Sequence, residues 1–398
     1  MSQLDRRQAL RLLAGIGAAA AVPGLTACGN ARGGSPAPEA PTTPVRIGLV
    51  APQAGTYKVI GDDLTQGFKL YLQTHNERLG NHPVELVLAD EGETADSARA
   101  AVDKLLKQNR VLALTGVTSS VAMEAIKDLV EGARIPLIGS NASPTTLQGA
   151  VYIWRTSYVN DEPGKALGKY LAENLDGTVY CIAADYQAGR DEVAGLLATL
   201  RPTGRLAADP VYTPFTPTPV KDFTPYLAAI KNSDAAAVFC FYAGTSAIDF
   251  VKQYRAAELK PALYAPGFLT EGLILKQQGE AARGIFTSMN YAPDLDNAAN
   301  RSFAAEYQKA FEQTPTTYAM ASYDAAAVLD KAIALAGNEL TAQALNSAIS
   351  KVGQIDSPRG AWQFNQNRTP QQKWYLREVK PDGTLLSNVL VTELTTLG

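Results

Sequence analysis

The chain has 398 residues, a formal charge of −3, 46% hydrophobic and 19% charged residues, three cysteines and two histidines. That composition belongs to a globular protein of two or three domains, and the near-zero charge leaves no basic footprint for nucleic acid. His75 and His82, set in a polar stretch, are too few for a multi-histidine metal centre, and no internal apolar run approaches the ~20 residues of a membrane span.

The first element reads as an address. Arg6, Arg7 and Arg11 against Asp5 give the head a surplus of +2, and an Ala/Gly-rich apolar run follows as far as Cys28. A basic head, a short apolar stretch and small residues predict a signal peptide over 1–27. The paired arginines resemble a twin-arginine export signal, with Ala9 where that motif prefers a larger residue; ordinary Sec export is the alternative. Leu25-Thr26-Ala27-Cys28 resembles a bacterial lipobox, which makes Cys28 the expected lipidation site. Residues 28–44, rich in Gly, Pro and Ala, read as a flexible linker. The expected location is extracytoplasmic, lipid-anchored to the cell membrane.

From Val45 the chain alternates short apolar or β-branched runs with amphipathic segments. The runs predict strands at 45–51, 84–90, 111–116, 135–139, 178–184, 206–213, 235–242, 262–266 and 284–289. Helices are predicted at 62–78, 94–109, 120–132, 161–175, 187–200 and 244–258. Such alternation with near-continuous apolar strands predicts parallel sheets covered on both faces. Nine strands overfill one ordinary domain, so the expected fold is α/β, with two doubly wound parallel-sheet lobes joined by hinge strands. The tail adds helices at 318–337 and 341–351 and strand-like runs at 361–364, 372–379 and 385–393, which are expected to return to the lobes as hinges. The partition follows as 45–160 plus 291–355 for lobe 1 and 161–290 plus 356–398 for lobe 2. Cys181 and Cys240, each in a buried strand, read as core thiols, since bridges between neighbouring parallel strands are geometrically awkward.

Catalytic patterns are absent from the sequence. Gly48, Gly55 and Gly61 are spaced wrongly for a dinucleotide loop, and there is no Walker loop, nucleophile elbow, His-Glu-x-x-His or Cys-x-x-Cys. No cofactor is expected. The acidic clusters Asp90-Glu91-Gly92-Glu93 and Asp294-Leu295-Asp296 do not fit a calcium loop and read as solvated loop charge.

What stands out lies just after the strands, where open α/β sheets bind ligands beside helix N-termini. Gly116-Val117-Thr118-Ser119-Ser120 leads into one helix; Ser140-Asn141-Ala142-Ser143-Pro144 follows the next strand, with Ser143 placed as N-cap and Pro144 at the first helical position. Two hydroxyl-rich helix starts facing one crevice would hold a carboxylate. Aromatics recur in the loops expected to face them: Tyr186, Tyr242, Phe268 and Tyr291, with Tyr57 in the first loop. Any one of these has a bland reading, a cap or a core ring; their recurrence at one end of successive strands points to a binding site.

The order and spacing of several segments resemble the extracytoplasmic solute receptors of the branched-chain amino acid class, with the type I periplasmic-binding-protein fold, which serve ABC importers. The resemblance runs from about Val45 to Leu397. It is carried by Arg46-Ile47-Gly48-Leu49-Val50-Ala51-Pro52 with Gly61 and Gly67, by Thr115 to Ser120, by Ile135 to Ser143, by Asp185-Tyr186-Gln187-Ala188-Gly189, by Lys221-Asp222-Phe223 and by Tyr323-Asp324-Ala325-Ala326. It implies a ligand carboxylate held at Ser120, with Ser119 beside it, and at Asn141 and Ser143. The ammonium-binding glutamate of the family falls on Gly267, next to Phe268, which leaves Glu271 or Asp185 as possible substitutes. The family's first-loop aromatic falls on Ile60, and the tyrosine before Gly189 is Ala188.

Two ligand readings follow: an aliphatic amino acid with a rearranged ammonium site, or an aromatic or hydrophobic carboxylate sandwiched by Tyr186, Tyr242 and Phe268. The implied activity is binding without catalysis, with a small-molecule solute and ABC permease subunits as partners. An extracytoplasmic sensor using the same clamp is the alternative.

Overall fold

The computed structural model describes residues 41–215, 218–337 and 339–398, so the expected leader, Cys28 and most of the linker lie outside the described residues. In the first unit, β1 (Val45–Ala51) is buried at every position except Arg46, as a central strand covered on both faces must be. Ile47, Leu49 and Ala51 enter one core while Val50 enters another on the opposite face, the alternation that a pleated strand imposes. Around it stand β2 (Arg78–Leu79), β3 (His82–Asp90), β4 (Ala113–Gly116), β5 (Leu137–Gly139) and β6 (Ile153–Arg155). They form a six-stranded sheet in the order β2-β3-β1-β4-β5-β6, parallel apart from the short β2–β3 pairing. Helices α1 (Lys58–Thr74), α2 (Ala95–Lys104) and α3 (Ser120–Ala133) cover its faces.

The second sheet contains β7 (Val179–Ala184), β8 (Val211–Thr213), β9 (Ala237–Phe241), β10 (Ala262–Pro266), β11 (Phe286–Met289), β12 (Gln372–Asp382) and β13 (Leu385–Leu397). Its order is β13-β12-β11-β10-β9-β7-β8. Five strands run parallel, and β12 and β13 add antiparallel at one edge. The intervening helices are α4 (Glu162–Asn174), α5 (Gln187–Leu200), α6 (Thr224–Lys231), α7 (Thr245–Ala256) and α8 (Leu273–Gln278). Then α9 (Ala298–Phe311), α10 (Thr317–Ala336) and α11 (Ala342–Ile349) return to the first unit, with α10 packed along α1.

The expected α/β architecture with two doubly wound sheets is therefore what the chain adopts. Several local readings change, the helix expected at 62–78 among them, which runs Lys58–Thr74. The run at 206–213 keeps only β8, with Leu206 as a lone bridge to Val179, because Asp209-Pro210 interrupts the ladder. The late runs at 372–379 and 385–393 are not free hinges: they pair with each other along a long hairpin and widen the second sheet. The run at 361–364 supplies only isolated bridges, Trp362 to Ile355 and Phe364 to Pro370.

The chain crosses between the sheets at 156–161, 290–297 and 350–371. A buried network ties these crossings together. Arg359 donates to the Thr156 carbonyl at 2.5 Å, to the Ser157 carbonyl at 3.1 Å and to Asp324 Oδ2 at 2.7 Å. Asp324 Oδ2 also accepts from Ser357 and Trp362, and Asn290 donates to the Ser157 carbonyl and to Gln372.

Cys181 and Cys240 are free and buried. They sit on adjacent strands but enter opposite cores, since Cys181 stands opposite Phe239 and Cys240 opposite Ile182. Among the described residues no helix is long and apolar enough to cross a membrane.

Candidate functional site

Between the carboxyl ends of the two sheets lies a narrow cavity of about 30 Å³, room for about two waters. One wall is polar. After β4 the backbone turns through Gly116 at φ +100° and Val117 at φ +67°. A β-branched residue in the left-handed region stores ~1–3 kcal/mol of strain. The turn is over-determined here: the Val117 N–H donates to the Val50 carbonyl at 2.8 Å, and a side chain at Gly116 would collide with that same carbonyl at 2.2 Å. It delivers Thr118, Ser119 and Ser120 to the cavity at the start of α3. Ser119 caps the helix by accepting from the Ala122 N–H at 3.1 Å. Ser120 Oγ accepts from Asn160 Nδ2 at 3.0 Å, which leaves its own proton to donate. Thr118 Oγ1 is buried without a partner.

Asn141 also lines this wall, but both ends of its amide serve the scaffold: it donates to the Thr118 carbonyl at 2.7 Å and accepts from the Tyr158 hydroxyl at 2.8 Å. Ser143 does not reach the cavity. It is fully buried behind Asn160, whose Oδ1 accepts its N–H at 3.1 Å. Nor does it cap an α-helix, because only a short 3-10 turn, Thr145–Leu147, follows Pro144. Asn160, 17 residues further along and holding Ser120 and Ser143 together, is the organiser that sequence spacing could not reveal.

The α3 N-terminus is partly filled by the protein itself. Glu91, read in the sequence as solvated loop charge, is only 1% exposed. Its carboxylate accepts from the Thr118 and Ser119 N–H groups at 2.6 and 2.8 Å. Burial pushes its pKa up to about 7, against the pull of these two amides. Its neighbours also have structural partners: Asp90 accepts from the Gln53 N–H and Glu93 from the Thr56 N–H. The acidic cluster thus pins the first loop to the polar wall.

The opposite wall is aromatic, formed by Tyr57, Tyr158, Tyr186, Phe241, Phe268 and Tyr318 with Ile60, Ala188 and Ala243 between them. Tyr57 reaches across to Tyr186, hydroxyl to hydroxyl at 3.4 Å. Phe268 lies edge-on to Phe241 at 5.9 Å and tilted against Tyr158 at 5.3 Å. Burial raises the phenols of Tyr57, Tyr158, Tyr186 and Tyr318, Tyr57 to about 12, so at neutral pH they are uncharged donors. Tyr318 OH is buried and unpartnered.

Tyr242 belongs elsewhere. Strand parity sends Phe239 and Phe241 inward and Cys240 and Tyr242 outward. The Tyr242 ring stacks on Phe250 at 4.6 Å and its hydroxyl meets Thr213 at 3.2 Å. Reading the element correctly and the face wrongly moves the ring to the far side of the sheet. Tyr291 is likewise core, donating to Asn300 at 2.8 Å.

Gly267 sits where no side chain fits: a Cβ there would lie 2.4 Å from Arg377 Nη2 and 2.7 Å from Met289 Cε. That guanidinium is paired with Glu271 at 2.8 Å, and Glu271 also accepts from the Thr317 N–H at 2.9 Å. Asp185 pairs at the surface with Arg190. Neither suggested substitute lines the cavity. The charged side chain that does is Glu192, on α5 one turn beyond Ala188 and 1% exposed. Of the residues singled out in the sequence, Ser119, Ser120, Asn141, Tyr186 and Phe268 come together, and Ser143 and Tyr242 do not. Among the described residues there is no group of three His, Cys, Asp or Glu side chains that could hold a metal.

Residues 44–384 match the family model described as periplasmic binding protein. A Leu/Ile/Val-binding protein homolog from Brucella melitensis is 27% identical over 360 residues, covering 87% of this chain and 91% of that protein. Among solved structures, an ABC-transporter solute-binding protein from R. palustris in complex with benzoate is 28% identical, with a TM-score of 0.83 and 89% and 97% of the two chains covered. A branched-chain amino acid transporter substrate-binding protein from Streptococcus pneumoniae in complex with isoleucine shares the fold at 18% identity and a TM-score of 0.75, covering 88% of this chain and all of that one. With most of its length matched to the family model and its two doubly wound sheets enclosing a cleft, this chain belongs to the periplasmic binding protein family.

Proposed function

We propose that the protein is the solute receptor of an ABC importer, which closes on a small carboxylate-bearing solute and delivers it to permease subunits in the membrane. The lobes that close are 45–160 with 291–355 and 161–290 with 356–398, moving about the crossings at 156–161, 290–297 and 350–371. The observation that carries this reading is the pairing of walls at the cleft. Hydroxyl donors with capacity to spare at Thr118 and Ser120 face a sheath of aromatic rings that itself carries the unpartnered Tyr318 hydroxyl, a surface suited to a carboxylate with a hydrocarbon body. Ser119, Ser120 and Asn141 form the polar half; Tyr186 and Phe268 belong to the aromatic half. The solute is a hydrophobic amino acid or an aromatic carboxylate, classes represented by isoleucine and benzoate in the structural relatives. Binding proceeds without turnover, and the folded body is tethered outside the cytoplasm through lipidated Cys28.

A thermal-shift screen with L-leucine, L-isoleucine, L-phenylalanine, benzoate and 4-hydroxybenzoate tests this. A ligand at 100 times its dissociation constant adds about 2.7 kcal/mol, so at least one of these should raise the midpoint by several degrees and be recovered unchanged. A flat response to all of them contradicts the reading. Exchange of Cys28 for Ser should release the protein from membranes; continued anchoring contradicts the lipid tether.

A further inference from the structure

Asp191, on α5 just outside the cavity lining, is held by groups from both sides of the cleft. It is 5% exposed. Its Oδ1 accepts from Gln187 Nε2 on the same helix at 2.8 Å and from the Thr145 hydroxyl at 2.7 Å. Its Oδ2 accepts from the Thr145 N–H at 3.1 Å and from Asn160 Nδ2 at 3.3 Å. Thr145 opens the short turn after β5 and belongs with the first sheet. Leu147 of that turn is buried in the core under α3, the Thr146 hydroxyl donates to Glu124 of α3, and Lys127 of α3 donates to the Thr146 carbonyl. Asp191 belongs with the second sheet, since Val193 and Leu196 on its helix enter the core with Cys181 of β7 and Phe239 of β9.

We propose that the Asp191–Thr145 pair is the latch of the cleft, a two-pronged contact that holds the lobes together and sets how long a solute stays. This rests on the receptor reading above and adds to it the residue that governs release. The hydroxyl and N–H of one residue converge on the two oxygens of one carboxylate, so both bonds form or break together, and bonds to a carboxylate are the stronger kind. When the walls part, Thr145 leaves with α3, and Asp191 exchanges both bonds for water. A contact present in the closed form and absent from the open one shifts the balance between them. The latch is also joined to the polar wall. Asn160 Nδ2 carries two hydrogens; it donates to Ser120 Oγ at 3.0 Å as well as to Asp191. A solute held by Ser120 therefore steadies Asn160, and through it the carboxylate that Thr145 meets. A second contact across the cleft, between the Tyr57 and Tyr186 hydroxyls, is longer at 3.4 Å and joins two neutral groups, which makes it the weaker of the two.

Stopped-flow kinetics and small-angle scattering on the full chain provide the test, with L-leucine and benzoate as probe solutes. Asp191→Asn should release whichever probe the unmodified protein binds at least tenfold faster, with the association rate changed by less than about threefold, because solute enters the open form. Thr145→Val removes one prong at a half-buried position and should speed release by a smaller factor. The two substitutions together should release no faster than Asp191→Asn alone, as expected of partners in one contact. Without solute, Asp191→Asn should have a larger radius of gyration than the unmodified protein. A merely structural Asp191 would lower the melting midpoint and leave release unchanged, so a dissociation rate within about twofold of the unmodified one in folded Asp191→Asn overturns the latch while the receptor stands. Additive effects of the two substitutions overturn it equally. If neither probe binds, the receptor reading fails for these solutes and scattering decides the latch: an expanded Asp191→Asn upholds it and equal radii overturn it. If Asp191→Asn does not fold, Thr145→Val decides, and unchanged release, or an unchanged radius where no probe binds, overturns the proposal.

Discussion

The two walls of the cleft are built on different principles. The polar wall is fixed largely by hydrogen bonds within the scaffold: Asn160 holds Ser120, Asn141 holds the Thr118 carbonyl, and Glu91 holds the Thr118 and Ser119 amides, while the Thr118 hydroxyl is left without a partner. On the aromatic wall, rings from the loop before α1, from β9, from the turn after β10 and from α10 meet by contact, with the Tyr57 and Tyr186 hydroxyls 3.4 Å apart. A hydrogen-bonded wall is preorganised for a fixed charge, whereas a packed wall can adjust to the shape of a hydrocarbon. In the proposed receptor, orientation of the solute would come from the polar side and selection among hydrocarbon bodies from the packed one.

The largest effect should come from breaking what keeps the walls in register. Asp324→Ala leaves the Arg359 guanidinium, itself 1% exposed, without its carboxylate; losing one partner of such a pair costs ~3–5 kcal/mol. Chemical denaturation should show that loss, and a change below 1 kcal/mol would deny the network its role. Next, Asn160→Ala unhooks Ser120 and Ser143 together and should cost ~1–3 kcal/mol and weaken solute binding at least tenfold by calorimetry. If affinity survives, the polar wall does not depend on its organiser.

A milder change isolates the packed wall. Phe268→Leu conserves most of the volume, so stability should fall by less than ~1.5 kcal/mol, yet the ranking of solutes should change. Smallest of all, Tyr242→Phe should leave binding unaltered, since its hydroxyl meets only Thr213 behind the sheet; a binding defect there would reverse the strand parity described above.

Stability should also track pH. Asp63, Glu91 and Glu162 are all pushed by burial to about 7. A carboxyl whose folded pKa lies above its unfolded value favours folding below the unfolded pKa, and that contribution is lost as pH rises through the folded one. The melting midpoint should therefore fall between pH 5 and pH 8. A midpoint that rises over this interval would mean that these groups are ionised partners in the folded state.

Much of the scaffold was legible because it depends on local pattern. The helix at 187–200 and the Ser119 cap follow from apolar spacing and from residues within three positions of one another. The site was only half legible. Tyr242 and Phe241 are equally aromatic, and only the pleat decides which one faces the cleft. Ser143 looked like a cap until Asn160, from another strand connection, accepted its N–H. Glu91 and Glu192 carry no local mark, since their burial is created by α3 and α4, 28 residues away in each case. Charge that is buried by distant elements is what a single sequence conceals.

The central claim is that a solute carboxylate is held at the start of α3. Calorimetric titration of L-leucine and of benzoate into the unmodified protein and into Thr118→Val/Ser120→Ala tests it most directly. The double variant should retain its melting midpoint within a few degrees and bind at least tenfold more weakly any of these that the unmodified protein binds. Unchanged affinity in the folded double variant would place the carboxylate elsewhere and contradict the account.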